Sequence, residues 1–290
     1  MVRSFLIEEV WQLVMSSTIS IFDGWELDTW IIVICVIVSY LLVTGRYYAH
    51  FKEGIRVSFK QQFYFIAGVM TFGFALGSPI SMLAHHMFSA HMLQQSLLYF
   101  VVPPLIWLGI PTWLFRAMFS EKIRKSVLPL FTNALVSVIV FNSFLSFYHF
   151  PIIYDFIMSG ELPVVMYVTH VLLFLSAMLM WFAVTCPEPD LDRLNHLKKI
   201  GYIVLNGLLL YPACALIIFA DELIYRTTKE SHQIFEFLTP VADQQFGGII
   251  MKIVQEGAFA VAIGAIIFSW YRIERSEETE IENDIEPQRS

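Results

Sequence analysis

Long apolar segments alternate with shorter polar segments along nearly the whole chain. Seven of the apolar segments match or approach the roughly 20 residues that a helix needs to cross a hydrocarbon core of about 30 Å. Their approximate bounds are Thr29–Tyr47, Gln62–Gly77, Phe88–Leu108, Val127–Phe147, Leu162–Thr185, Ile200–Phe219 and Gly248–Tyr271. The pattern predicts an all-α integral membrane protein, a bundle of seven transmembrane helices.

Positive charge occurs in every second connecting segment. The first, third and fifth connections contain Arg46, Lys52, Arg56, Lys60, Arg116, Lys122, Arg124, Lys125, Arg193, Lys198 and Lys199. Connections 78–87 and 148–161 contain no Lys or Arg, and 220–247 contains only Arg226 and Lys229. Because the cytoplasmic loops of membrane proteins carry the excess of Lys and Arg, this alternation predicts an N-terminus outside and a C-terminus inside.

The composition agrees with a membrane protein, since 57% of the residues are hydrophobic and 15% are charged. The net charge of −7 arises largely from the acidic stretch SEETEIENDIE, which predicts a disordered cytoplasmic tail over residues 273–290. Residues 1–28 mix acidic with apolar side chains and lack a secretory-signal pattern, so we expect a retained extracytoplasmic or interfacial segment there. Residues 29–272 form the predicted transmembrane domain.

The three cysteines include no CxxC pair and indicate neither a disulfide framework nor a thiolate metal site.

Histidine is unevenly distributed in this topology. Two of the eight histidines, His50 and His196, fall on the predicted inner side. The other six fall outside or in the outer half of a predicted span, and they are His85, His86, His91, His149, His170 and His232. Ionisable residues inside spans are costly and usually mark function, which favours a functional role for His91 and His170.

Methionines and a carboxylate accompany these histidines. Residues four apart share a helix face, so Met87 is expected beside His91. The last apolar segment adds Asp243 at its outer end and Met251 one turn below Gly247. Facing helices of a bundle can assemble such groups into one metal site. Imidazole and thioether ligands without thiolates favour copper, and thioether favours Cu(I) in particular.

Several of these residues also have a purely structural explanation. Methionine is a common apolar filler in helices and needs no ligand role. His86 is explained equally well by hydration in the short outer loop, and His149 by its position at a water interface beside Pro151. For these residues both interpretations stay open.

The last apolar segment also contains a charged pair. Lys252 and Glu256 are four residues apart, so an internal ion pair is expected, which would lower the cost of placing both charges in the membrane. A role in proton movement or in support of a metal ligand is the alternative.

Two motifs in this chain are similar to those of a known family. HMFSAHMLQQ (86–95), followed by VVPPLIWLGIP (101–111), resembles the signature of the caa3-type cytochrome c oxidase assembly factors, the CtaG-like family. DQQFGGIIM (243–251) resembles the motif of that family's last helix, and His149, Pro151 and His170 fall where such proteins carry matching residues. The resemblance covers most of the chain, from about the second predicted span to the seventh.

The resemblance implies a function and a ligand set. Family members are seven-helix proteins of the bacterial cell membrane that mature haem–copper oxidases and are thought to help supply copper. The expected partners are therefore oxidase subunits, a soluble extracytoplasmic copper donor and membrane lipid, with no nucleic acid. The residues at matching motif positions are His86, His91, His149, His170 and Asp243. Many relatives carry a further histidine where this chain has Gln95, so either this chain uses fewer ligands on that helix or Met87 and His86 compensate.

Two other functions fit part of the same pattern. In a zinc-dependent membrane hydrolase, His91 and His170 would help to hold the metal while Asp243 and Ser89 assist. In a b-type haem protein, His91 and His170 would be the axial ligands. The methionines are unexplained in both, so the preferred prediction is a copper-binding assembly factor that is not an enzyme.

Overall fold

The computed structural model describes residues 24–227 and 238–285, with side chains up to residue 276. Within these residues all regular structure is helical. The α-helices in chain order are α1 Leu27–Gly45, α2 Phe59–Gly77, α3 Pro79–Ala84, α4 Phe88–Gly109, α5 Thr112–Met118, α6 Glu121–Ser126, α7 Leu128–Phe131, α8 Ala134–Tyr148, α9 Pro151–Met158, α10 Pro163–Phe182, α11 His196–Ile218 and α12 Pro240–Ile285. Short 3-10 turns occupy Tyr48–His50 and Pro189–Leu191.

Five of the described helices are long and apolar enough to cross a membrane, against seven in the sequence prediction. They are α1, α4, α10, α11 and α12. A sixth span results only if Glu121–Phe131 and α8 count together, and these two parts meet at a bend of 60°. The bend follows from Asn133, whose side chain accepts hydrogen bonds from the backbone N–H groups of Leu135 and Val136 and so starts a new helix inside the predicted fourth span. Helix α2 has 19 residues but opens with the polar sequence KQQ after Phe59, and it is not among the five.

The last helix is longer than the predicted span. It begins at Pro240 and continues to Ile285, so part of the acidic segment that the composition predicted to be disordered has helical backbone. The N-terminal segment expected over residues 1–28 lies almost entirely outside the described residues, as does His232.

Helix α4 contains a widened turn at the predicted proline kink. Pro103 has no N–H group to donate to the carbonyl oxygen of Tyr99 one turn earlier. The turn Leu97–Val101 is a π-helix, in which the N–H of Val102 donates to the carbonyl oxygen of Leu97. The Tyr99 carbonyl accepts instead from the indole nitrogen of Trp181 on α10, at 3.0 Å. The proline pair therefore attaches α4 to α10, the two helices that carry His91 and His170.

The basic loops meet at one end of the bundle around a buried carboxylate. Glu188 is 1% exposed and accepts hydrogen bonds from Arg116 at 2.8 and 2.9 Å and from Arg124 at 3.1 Å. Arg116 also forms an ion pair with Glu53 at 2.8 Å. These contacts join the connection after α1, helices α5 and α6, and the connection after α10. Hydrogen bonding from Arg116 lowers the pKa of Glu188, so its carboxylate stays charged at neutral pH.

We expect Glu188→Gln to lower the free energy of unfolding by about 3 kcal/mol, because two guanidinium groups lose the carboxylate between them. The depressed pKa means that the contribution of Glu188 is present above the ordinary carboxyl pKa and is lost as the pH falls through the folded-state value. Denaturant titration in detergent at neutral and acidic pH measures both effects.

The control is Glu121→Gln, since Glu121 forms an exposed pair with Lys125 that contributes little. Equal stability of the Glu188 and Glu121 variants at neutral pH would contradict a structural role for the Glu188 cluster.

Candidate metal site

A tyrosine hydroxyl joins two histidines at the opposite end of the bundle. The hydroxyl of Tyr148, the last residue of α8, lies 2.9 Å from Nε2 of His91 on α4 and 3.1 Å from Nε2 of His170 on α10. The two imidazole ring centroids are 6.1 Å apart. His91 is 3% exposed and His170 is half-buried. Because the hydroxyl has one hydrogen, it donates to one imidazole and accepts from the other.

His149, which follows Tyr148 in the chain, has one ring nitrogen without a hydrogen-bond partner among the described residues. Its Nδ1 lies 2.8 Å from the carbonyl oxygen of Leu145, and a carbonyl only accepts, so Nδ1 carries the hydrogen. Nε2 is buried and has no hydrogen-bond partner among the described residues. A neutral imidazole whose other nitrogen donates to a backbone carbonyl is in the form that binds metal ions.

Gln95 adds a second unsatisfied group. It is 2% exposed and lies against the Tyr148 hydroxyl, yet neither amide atom has a partner of hydrogen-bonding geometry within the described part of the chain. Buried polar atoms are almost always paired in native proteins. Gln95 and His149 thus leave buried polar atoms near the Tyr148 hydroxyl that a water molecule or a metal ion would satisfy.

Asp243 holds the helix that carries His91. Helix α4 starts after Met87, which provides no side-chain cap. The Asp243 carboxylate accepts the backbone N–H groups of Phe88 at 2.7 Å and Ser89 at 3.3 Å, together with the Ser89 hydroxyl. A carboxylate at this position also opposes the positive end of the helix dipole. Both of its oxygens are engaged, so Asp243 acts here as a cap supplied by α12.

The close approach of α12 to α4 depends on a glycine one turn below that cap. A Cβ atom at Gly247 would lie 2.7 Å from the Phe88 ring and 3.1 Å from Cγ of Met92, which is too close for a real contact. Only glycine lets the two helices meet at this depth without a shift of the Phe88 ring.

An open pocket lies above the buried histidines. It has a volume of about 90 Å³ and is lined in part by His85, His86, Met87 and Met158. His85 and His86 are exposed. Tyr154 also lines the pocket, and its ring lies 5.7 Å from the His91 ring, so it separates the pocket from the site below.

The seven predicted ligands are thus distributed over different environments. His91, His149 and His170 gather around Tyr148. Met87 and His86 line the outer pocket. Asp243 caps α4, and Met251 lies in the apolar core, about 12 Å further along α12 than Asp243 at 1.5 Å per residue.

The present geometry is not that of an assembled metal site. No group of three or more His, Cys, Asp or Glu side chains in the described residues is close enough to share one ion. Metal–imidazole bonds measure about 2.0 Å, whereas the Tyr148 hydroxyl lies 2.9 and 3.1 Å from the two nitrogens. An ion that replaced this hydroxyl would have to draw each imidazole inward by about 1 Å.

Sequence patterns missed three residues that shape this region. Tyr148, Tyr154 and Met158 were not predicted, although Tyr148 directly precedes His149 and Met158 ends the outer helix α9. Tyrosine and methionine are ordinary residues of apolar spans, so only their contacts distinguish these three from the rest of the core.

Comparison with known proteins gives one match. The model of the family described as cytochrome c oxidase caa3 assembly factor (Caa3_CtaG) matches residues 38–273, which is most of the chain. A search of curated proteins and a search of solved structures found no match.

We expect Asp243→Ala to lower the free energy of unfolding by about 2 kcal/mol, because the N–H groups of Phe88 and Ser89 lose a charged acceptor. Asp28→Ala is the control, since Asp28 is exposed in the first turn of α1 and contributes less than about 1 kcal/mol there. Chemical unfolding in detergent compares the two. A stable Asp243 variant that has lost metal binding would instead identify Asp243 as a ligand.

Proposed function

The chain belongs to the family of cytochrome c oxidase caa3 assembly factors, and from this premise we propose that it binds Cu(I) at the outer face of the cell membrane and passes it to a haem–copper oxidase. It acts as a carrier of the ion and not as an enzyme. The family match implies an oxidase as partner. The copper cargo and its site are argued from the residues themselves.

The proposed topology has seven spans with the N-terminus outside. Helix α2 and the bent segment 121–148 supply the two spans beyond the five apolar helices. The cluster of Arg116, Arg124, Glu188 and Glu53 lies at the inner end, where the excess of basic residues belongs. The histidines around Tyr148 then lie near the outer aqueous phase, from which a copper donor delivers its ion.

The observation that carries the proposal is the convergence of His91 and His170 on one hydroxyl, beside His149 with its unpaired Nε2. Three neutral imidazoles can supply the nitrogen ligands that copper accepts, without a thiolate that would retain it. If the ion replaced the Tyr148 hydroxyl, Nε2 of His91 and of His170 would be its ligands, and the imidazole that donates from Nε2 would carry its hydrogen on Nδ1 instead.

The outer pocket supplies an entry for the ion. Its imidazole and thioether groups, from His85, His86, Met87 and Met158, are ligands of the kind that Cu(I) prefers. An ion held there is exposed to an external donor, and the Tyr154 ring lies between it and the buried histidines. Exchange between an open and a buried position suits a protein that must release its cargo.

The alternative functions have weaker support in the same geometry. For a b-type haem, the iron would have to lie between His91 and His170, where the Tyr148 hydroxyl lies. For a zinc hydrolase, Asp243 and Ser89 would have to act on a substrate, but each hydrogen-bonds the other at the start of α4. Absence of a Soret band from the purified protein would exclude the haem protein. Tighter binding of Cu(I) than of Zn(II) would exclude the zinc hydrolase.

We expect His91→Ala and His170→Ala each to weaken Cu(I) binding at least about tenfold, since loss of one ligand of a three-ligand site costs 1.4 kcal/mol or more. The control is His196→Ala. His196 stacks on Trp270 at the other end of the bundle and should leave the affinity unchanged. Anaerobic competition with a chromogenic Cu(I) chelator measures the affinities of the purified proteins.

Equal Cu(I) affinity in all three variants would refute the site. In cells, His91→Ala and His170→Ala should each leave the oxidase subunits synthesised but poor in copper. Metal analysis of the purified oxidase detects this loss.

A separate expectation concerns Tyr148→Phe. In the metal-free protein the hydroxyl holds both imidazoles by hydrogen bonds that the ion must break. Each such bond contributes about 0.5–1.5 kcal/mol, so the loss of both should raise Cu(I) affinity by about fivefold to 150-fold. The same chelator competition tests this, and Tyr202→Phe, whose hydroxyl bonds Ser137 and the Met180 carbonyl away from the histidines, is the control. A loss of affinity in Tyr148→Phe would identify the hydroxyl as a ligand.

A further inference from the structure

A second pocket lies at the end of the bundle opposite the histidines, beside the Glu188 cluster. It has a volume of about 350 Å³ and is lined by residues from several separate segments. Lys52 comes from the connection after α1, Trp113 from α5 and Arg124 from α6. The pocket therefore lies where the basic loops of the bundle meet.

Two buried hydrogen-bond donors of residues that line this pocket have no acceptor. Trp113 is 3% exposed, and its indole N–H has no partner among the described residues. Nε of Arg124 is also buried and is unpaired within the same part of the chain. Buried polar atoms are almost always paired in native proteins, and an indole N–H only donates. The two groups therefore require an acceptor that the described residues do not supply.

Arg124 offers such an acceptor one whole edge of its guanidinium group. Its Nη1 donates to Glu188 at 3.1 Å, whereas Nε and Nη2 form no hydrogen bond with any residue that the structure describes. The Nε and Nη2 donors form a planar fork that matches two oxygens of a carboxylate or phosphate group. Arg124 can therefore hold an oxyanion on one side and keep its ion pair with Glu188 on the other.

The carboxylates that line the pocket already have basic partners. Glu53 and Asp190 lie 2.8 and 3.8 Å from the guanidinium group of Arg116. Glu121 lies 2.5 Å from Nζ of Lys125. These carboxylates therefore leave the free edge of the Arg124 guanidinium and the Trp113 indole without an acceptor.

The charge around the pocket favours an anion. Lys52 is exposed and forms no hydrogen bond or ion pair with a described residue. The connections that meet at this end, residues 46–60, 110–133 and 183–199, contain eleven Lys or Arg and five Asp or Glu residues. Such a surplus of positive charge attracts anions, and basic pockets between membrane helices bind the headgroups of anionic lipids.

We propose that this pocket binds a phosphate group, with the fork of Arg124, the indole N–H of Trp113 and the ammonium group of Lys52 as donors. A tetrahedral phosphate presents oxygens in more directions than a planar carboxylate, so it can accept from donors on three segments at once. The two nitrogens are buried, so binding requires a small shift of the pocket wall, in which the flexible Lys52 and Lys125 side chains are exposed. The group comes from a phospholipid headgroup or from free phosphate, and its site is independent of the copper site.

Two probes, each added to the purified full-length protein, test the pocket and separate the two sources. Inorganic phosphate is titrated in a phosphate-free detergent buffer and its binding is measured by calorimetry. Detergent-solubilised phosphatidylglycerol is added to a second sample, and native mass spectrometry counts the bound lipid, with diacylglycerol as the reference lipid that lacks the phosphate. Binding of inorganic phosphate supports the proposal with an aqueous source. Preference for phosphatidylglycerol over diacylglycerol supports it with a lipid source.

Trp113→Phe and Lys52→Ala should each weaken binding of the phosphate-containing probe about tenfold or more, because each variant removes one donor to a charged acceptor. The matched controls are Trp270→Phe and Lys122→Ala, which should bind as the wild-type protein does. Trp270 stacks on His196, and Lys122 is exposed on α6 but does not line the pocket.

Arg124→Lys is a third variant, which keeps a positive charge beside Glu188 but lacks the planar fork. It should weaken binding by a similar factor. Circular dichroism and size-exclusion chromatography verify that each variant is folded, and Trp113→Phe tests the pocket without altering any ion pair of the Glu188 cluster.

Three results would overturn the proposal: no binding of either probe, equal binding by the wild-type and Trp113→Phe proteins, or equal binding of phosphatidylglycerol and diacylglycerol with no binding of inorganic phosphate. Each would mean that water satisfies the two buried donors. The copper site is tested separately by His91→Ala, so failure of the phosphate pocket leaves the proposed function standing.

Discussion

The hydrogen bonds between Asp243 and the start of α4 are the contact on which the arrangement of the histidine end of the bundle depends. Helix α4 has no cap of its own at Met87, and its first two N–H groups are satisfied by a carboxylate 155 and 154 residues away in the chain. That bond fixes the height of α4 against α12, and Gly247 permits the close distance. His91, one turn into α4, is thereby held at the level of Tyr148 and His170.

Two polar clusters divide the bundle into unlike ends. At one end Glu188 forms ion pairs with Arg116 and Arg124, so the carboxylate and the guanidinium groups neutralise one another. At the other end the ionisable groups are mostly neutral imidazoles, and buried donors or acceptors remain unpaired. The Glu188 cluster consists of paired opposite charges, although Nε of Arg124 has no partner among the described residues, whereas the second cluster offers imidazole nitrogens, which are metal ligands. This difference in chemistry makes the second cluster the functional candidate.

Tyr148 gives the proposed copper site a defined metal-free state. A set of imidazoles with no partner would be costly to bury, and a site closed around its ligands would release an ion slowly. The hydroxyl satisfies His91 and His170 until an ion arrives and can take its place again after transfer. The ion pair that the sequence predicts within α12 is also satisfied within the chain, since Nζ of Lys252 lies 2.6 Å from Oε1 of Glu256 and 3.3 Å from the carbonyl oxygen of Gly207.

The sequence by itself determined the helical membrane class, the placement of histidines in or beside apolar helices, the proline-induced irregularity in α4 and the Lys252–Glu256 pair, because each depends on local periodicity or on spacing within one helix. It also carried the family motifs. It did not determine that the fourth span bends at Asn133 or that α12 continues to Ile285, since capping and helix continuation compete with hydropathy. Nor could it assign Asp243 to the N-terminus of α4, or place Tyr148 between His91 and His170. Those contacts join residues on different helices, and only the relative height and rotation of packed helices decide which side chains meet.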